Sequence, residues 1–150
     1  MLGELTPEQI NAVLFNEVVG RVGCHSEGRT YVVPITYVFD GDSVCAHSAE
    51  GLKIKMMRAN PHVCFQVDQR ENLANWRSVV AWGVYEELHG KEALDALQIL
   101  VARLLPFVTS ETLGLPDKLS LATAKAVPDA PKTIIYRIRL TERSGRFEKR

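Results

Sequence analysis

The chain has 150 residues, with 46% apolar and 24% charged side chains, which suits one globular domain able to bury a core of its own. Eighteen basic residues balance eighteen acidic ones, so no broad electrostatic attraction to nucleic acid or membrane is expected. Three cysteines, Cys24, Cys45 and Cys64, fall without a C-x-x-C or dense spacing, which argues against a disulfide scaffold and for a reducing cytoplasm.

No basic leader followed by an apolar run opens the chain, and no window approaches eighteen apolar residues, so neither a signal peptide nor a membrane span is expected. Thr6-Pro7-Glu8-Gln9 predicts a capped helix start, and Ile10, Val13 and Leu14 give that helix one apolar face, ending near Asn16 or Glu17. Val18 to His25 reads as a first strand and Ser26 to Arg29 as a turn. Thr30 to Phe39 is a second strand, with Tyr31, Val33, Ile35, Tyr37 and Phe39 on one face. Asp40-Gly41-Asp42 is a tight turn into a third strand, Ser43 to Ser48. A short helix spans 51–59 and stops at Asn60-Pro61, because proline disfavours helical geometry in the residue before it.

His62 to Gln69 is a fourth strand and Trp76 to Glu87 a fifth. Both faces of the fifth are largely apolar, so it should be covered on both sides, the second cover being another subunit. Lys91 to Leu105 is an amphipathic helix with Leu94, Leu97, Leu100, Val101 and Leu104 in its stripe. Residues 107–131 are broken by prolines, with a short helix at 117–125. Thr133 to Leu140 is the last strand, and the basic stretch from Arg137 to Arg150 is read as a solvated tail. Six strands with accessory helices predict a mainly β fold, an antiparallel barrel formed by residues 1–150 as a single domain, with an ordered core at about 6–147.

Chemistry concentrates at Val44 to Lys53. A strand runs into a helix start, where free N–H groups and a partial positive charge favour anions. Ser48 can cap that helix, and Lys53 can add full charge, so a phosphate of a nucleotide-like cofactor is expected there. Pro34 interrupts a good strand and marks an edge or a place where a barrel opens, freeing the strand around Thr36 for a flat heterocycle. His47 adjoins the anion site and titrates near neutrality. Arg77 interrupts an apolar strand and needs an anionic partner if covered; Ser78 follows it. Cys45 and His47 share a strand face, a weak metal signal beside the usual three or four ligands. Met56-Met57 reads as core filling. Hydrolase, Walker and dinucleotide fingerprints are lacking.

Gly20-Arg21-Val22-Gly23, Val33-Pro34-Ile35-Thr36-Tyr37-Val38, His47-Ser48-Ala49-Glu50-Gly51-Leu52-Lys53, Asn60-Pro61-x-Val63, Arg77-Ser78-Val79 with Gly83, and Ser144-Gly145-Arg146 resemble the pyridoxamine 5′-phosphate oxidase-like superfamily of FMN-binding split barrels. The resemblance is nearest to the flavin-binding branch that includes nitroimidazole-resistance proteins. It implies a six-stranded split barrel and a homodimer with FMN at the subunit interface. It also implies an oxidoreductase acting on a small molecule, nitro-compound reduction being one candidate. The alternatives are a non-catalytic flavin binder or sensor and a haem-binding split barrel.

By the same resemblance Val33, Pro34, Ile35 and Thr36 lie along the flavin. His47 and Ser48 end the next strand, with His47 facing the active site as the catalytic candidate. Lys53 binds the phosphate, and Ser78, with Arg77 beside it, contacts the cofactor from the long interface strand. Tyr31 stands where oxidases proper carry an arginine, and their C-terminal tryptophan and arginine substrate motif is missing. The resemblance therefore does not extend to vitamin B6 oxidation.

Overall fold

The computed structural model describes residues 1–107 and 133–150. In chain order these form β1 (Leu2–Glu4), α1 (Pro7–Asn16), β2 (Val19–Ser26), β3 (Arg29–Thr36), β4 (Val38–Phe39), β5 (Ser43–Ala49), α2 (Leu52–Ala59), β6 (His62–Asn72), β7 (Asn75–Glu87), α3 (Gly90–Leu104) and β8 (Thr133–Glu148). All six expected strands are present. The sheet adds the short β1 and divides the second expected strand at Tyr37. The helix expected at 117–125 lies outside the described residues.

Every ladder is antiparallel, and the strand order is β3-β2-β6-β7-β8-β5-β4, with β1 paired to β8. The two ends of this path, β3 and β4, are consecutive pieces of one stretch of chain. The sheet therefore curls into a barrel that is joined at Tyr37 but split beyond it: β3 pairs with β2, while β4 pairs with β5.

The period-two pattern sends Val22, Phe65, Val67, Val79, Tyr136 and Ile138 into one core. Two helices close the barrel ends. Thr6 caps α1 in the expected capping box with Gln9. Ile10, Val13 and Leu14 then plug the end where the amide of Leu5 donates to the carbonyl of Gly145 at 2.9 Å. Ile54, Met56 and Met57 of α2 fill the opposite end, as read for the methionine pair. The third helix packs outside the barrel through Ala96, Leu97, Leu100 and Leu104. Leu97 meets Ile135 and Leu88, and Leu100 meets Val38. Leu94 lies off this stripe and is exposed; Ala96 takes the place expected for it. No helix among the described residues is long and apolar enough to cross a membrane.

The basic C-terminal stretch is not a solvated tail. Through Glu148 it is part of the sheet, paired along its length with β7 and, as far as Arg139, with β5 on the other edge. Arg137 and Arg139 both hold Glu86, at 2.8 and 3.0 Å. Arg143 turns inward, donating to Asn11 at 2.7 Å and to the Gly41 carbonyl at 3.1 Å, over the ring of Phe39. Where β7 and β8 slip register, Gly83 leaves room for the partner strand. A Cβ there would collide with the Arg139 carbonyl and stand 2.8 Å from the Ile138 side chain.

The outer face of β2, β3, β6 and β7 is left uncovered by these helices. Val32 is 63% exposed and Trp82 41%, so the expected second cover of β7 does not come from the described residues of this chain.

Tyr37 is fully buried, and its hydroxyl donates to the Leu14 carbonyl at 2.9 Å. Tyr37→Phe removes the donor and leaves that carbonyl without its partner. A loss of about 1–3 kcal/mol of stability is expected in urea unfolding, with secondary structure retained. An unchanged midpoint would show that the bond does not hold α1 on the barrel.

Candidate functional site at the barrel split

The β4–β5 ladder sets Val38 against Cys45 and Phe39 against Val44. Continued by one register step at a time, it would set Tyr37 against Ala46, Thr36 against His47 and Ile35 against Ser48. The ladder stops instead, and β3 leaves to pair with β2, placing Ile35 opposite Gly20 and Pro34 opposite Arg21. Pro34 thus sits on a strand with one ladder partner, as its missing N–H requires. Val33, Pro34, Ile35 and Thr36 form one wall of the split, and His47 and Ser48 form the other. Alternation puts Thr36 and His47 on the outer side, and Ile35 and Ser48 on the inner side.

The α2 helix starts where β5 ends. Its N-cap is Gly51, with no side-chain cap, so the first N–H groups carry no side-chain oxygen. Ser48 is therefore not the cap. It is buried in the strand, and its Oγ donates to the Ala49 carbonyl at 2.7 Å. Lys53 is the second residue of the helix, on its first turn. It is partly buried, and among the described residues no carboxylate pairs with it.

Desolvation holds the Lys53 amine below its ordinary pKa, opposed by the nearby Cys24 thiol. His47 is likewise held below its ordinary value, first by burial and then by the charge of Lys53, so its ring is neutral at pH 7. Its Nε2 is shut off from solvent and makes no hydrogen bond among the described residues. The Tyr136 hydroxyl, on the strand beside Ala46, is among the described residues the other buried polar side-chain atom without a partner, and burial raises its pKa. A desolvated ammonium, an unpaired imidazole nitrogen and an uncapped helix start thus stand at one mouth of the barrel. Among the described residues such a set is short of an anion and of a hydrogen-bonding partner. The residues fit a phosphate-bearing group.

Arg77 and Ser78 are not brought to this mouth. Ser78 lies opposite Arg146 on β8, whereas His47 lies opposite Ile135. Eleven residues of strand separate those two register positions, up to about 35 Å. Ser78 faces outward in a polar group: Gln66 Nε2 donates to Ser78 Oγ at 3.2 Å and to Asp68 at 3.3 Å, and Arg21 meets Asp68 at 3.2 Å. Beside this group an apolar groove of about 540 Å³ runs over Gly23, Val32, Cys64 and Trp82. Arg77 alternates to the other face and lines a separate cavity of about 470 Å³ with Gln9, Gln69 and Phe147. No three potential metal ligands gather among the described residues.

The sequence reading missed Gln66 and Asp68, whose link to Ser78 is visible only once β6 and β7 are in register. It also missed Tyr136, which looks like any inward strand aromatic until its hydroxyl is found without a partner.

A family model described as pyridoxamine 5′-phosphate oxidase matches residues 6–147. The chain is 34% identical over 84 residues to RA0666, an uncharacterized protein of Rhizobium meliloti (strain 1021), in a match spanning 56% of each chain. Among solved structures it is similar to a FAD-binding protein of Mesorhizobium loti, at 30% identity with 99% of both chains covered and a TM-score of 0.77. A candidate 5-nitroimidazole antibiotic resistance protein of Bacteroides thetaiotaomicron shares the fold, with a TM-score of 0.72 at 18% identity over 98% of this chain and 87% of that one. The strand order, the split at Tyr37 and the sequence match together place the chain in the pyridoxamine 5′-phosphate oxidase family of split barrels.

Proposed function

We propose that the protein binds a flavin nucleotide, FMN by first preference, and uses it as an oxidoreductase on a small molecule. The observation that carries this reading is the pair at the split: a partly buried Lys53 with no carboxylate partner among the described residues, beside a His47 Nε2 without a hydrogen bond. Lys53 and the start of α2 would hold the phosphate, and β3 from Val33 to Thr36 would line the ring. A bound flavin supplies two-electron transfer. The chain's own part is to orient the ring, exclude water and present neutral His47, whose Nε2 donates or accepts according to tautomer. A nitro compound reduced at the exposed ring face is one candidate substrate. The family name does not carry over as an activity on vitamin B6, since Tyr31 and the missing substrate motif depart from the oxidases.

We further propose a homodimer. Within one chain the mouth at His47 and the polar group at Ser78 lie far apart, while the apolar groove at Trp82 is open. A second copy seated on that groove would bring its own Ser78 and Gln66 toward the split.

Purified protein titrated with FMN should develop a bound-flavin spectrum; a Soret band, or no binding of either flavin or haem, overturns the reading. Lys53→Ala should weaken FMN by about 10- to 100-fold, the scale of one charge-assisted hydrogen bond, and leave riboflavin nearly unchanged. Equal losses for the two ligands would take Lys53 out of the phosphate site.

Trp82→Arg places a charge in the proposed interface. Light scattering should show the mass halved and flavin retention lost together, whereas a monomer that keeps its flavin would contradict the shared site.

The histidine has a signature in the ligand-free protein. Its folded pKa lies below the unfolded value of about 6.5, so below that pH the unfolded chain takes up the proton first. This part of the stability is complete above about pH 6.5 and declines as pH falls toward the folded value. His47→Gln cannot titrate and should show a shallower decline between neutral and mildly acid pH in urea midpoints. Parallel profiles would mean that His47 is not held neutral by the fold.

A further inference from the structure

At the α1 end the inner face of the barrel finishes in one row that crosses four strands. Gln69 of β6 lies opposite Arg77 of β7, Arg77 opposite Phe147 of β8, and Phe147 opposite Gly3 of β1. Two residues further in, Val67, Val79 and Gly145 form the next row on the same face, and all three are buried. Alternation therefore aims Arg77 into the barrel end, above a buried layer, where it is partly covered. It opens there into the cavity of about 470 Å³.

The cross-strand neighbours of this guanidinium are an amide and an aromatic ring. Among the described residues no carboxylate pairs with it. Two acids line the cavity, and neither reaches Arg77. Glu148 accepts the indole N–H of Trp76 at 3.3 Å, and the exposed Glu71 shares the rim with the exposed, oppositely charged Lys149. Gln9 adds a donor from α1. In the capping box its Oε1 accepts from the Thr6 amide at 2.9 Å, which leaves its NH2 end for the cavity. Phe147 and Leu5 supply an apolar wall. The Phe147 ring lies against Gly3, where a Cβ would stand 2.7 Å from it. A forked cation, an amide donor and an apolar wall around one cavity complement a carboxylate on a compact apolar body.

We propose that this cavity is a second ligand site, which takes a small carboxylic acid with a compact apolar body, its carboxylate bound by Arg77. The site is separate from the split. Phe147 and Ile135, the β8 partners of Arg77 and His47, are twelve residues apart along the strand. The proposal does not depend on what the split binds.

Benzoate is the probe and benzamide its uncharged counterpart, each followed by ligand-observed NMR on the full-length chain. Benzoate is expected to bind with a Kd on the order of 1 mM, the scale for so few heavy atoms. Arg77→Gln should weaken benzoate by about 10- to 100-fold, as the loss of a charge-assisted contact does, and leave benzamide unchanged. Gln69→Glu sets a carboxylate of the protein beside Arg77. It should abolish benzoate binding while the urea midpoint holds or rises, so that unfolding cannot account for the loss. Lys53→Ala, at the split, should bind benzoate as the wild type does. The proposal is overturned if the wild type shows no saturable benzoate binding, or if Arg77→Gln keeps it or loses benzoate and benzamide equally. Benzoate lost in Lys53→Ala but kept in Arg77→Gln would put the anion at the split and overturn it as well. If Arg77→Gln does not fold, Gln69→Glu decides: benzoate binding at wild-type strength, or a lowered urea midpoint, shows that Arg77 is not waiting for a carboxylate.

Discussion

The structure depends on one stretch of chain having to serve two neighbours. Residues 29–39 run as a single alternating strand, but β2 claims the first part and β5 the last. Tyr37 stands at the handover. Its amide donates to the Val18 carbonyl at 2.9 Å, its hydroxyl reaches Leu14, and its ring meets Phe65 edge-on. Three elements are thus pinned by one residue. Because the ladder to β5 cannot continue past it, backbone on the facing edges of β3 and β5 is left for something other than each other. The split is a consequence of where the barrel is fastened, and the candidate site is a consequence of the split.

The electrostatics of the mouth follow from how its charges are shared. Arg58 pairs with Glu50 and Glu87, and Glu86 takes Arg137 and Arg139 on the outer face. These ion pairs are partly exposed and contribute little to stability. Their effect is on which charges remain. Among the described residues these acids pair with arginines, and Lys53 pairs with none of them. Burial then lowers the lysine's pKa and, with that lysine's charge, keeps His47 neutral. Among the described residues that cation, costly to desolvate, has no ion-pair partner.

Much of this was legible in the residues. The capping box at Thr6, the turn at Asp40-Gly41 and the inward faces of β3 and β7 follow from local chemistry and period two. What was not legible depends on register between distant strands. Residues after Leu140 alternate poorly, with Thr141, Glu142, Arg143 and Ser144 in succession. They stay in the sheet because β7 supplies a partner as far as Glu148. The assignment of Ser48 as a cap failed for a local reason: alternation already turns it into the barrel, and the chain needs Gly51 before the helix begins. The reach of Arg58 to Glu50 and Glu87 joins residues 8 and 29 positions away, and no sequence periodicity marks it.

The neighbours Arg77 and Ser78 show how far a sequence motif can be trusted as a unit. On a strand, consecutive side chains point to opposite faces, so the two cannot line the same outer surface. Ser78 joins Gln66 and Asp68 on the outer sheet, while Arg77 opens into the cavity at the end of the barrel plugged by α1. A ligand on the outer face therefore meets Ser78 and not the arginine beside it. Direct contact through Arg77 would require the strand to shift register by one residue, which would turn Val79 and Tyr85 out of the core. The inward packing of those two residues excludes Arg77 from any site built on the outer sheet, where Arg21 meets Asp68 and Arg146 is the register partner of Ser78.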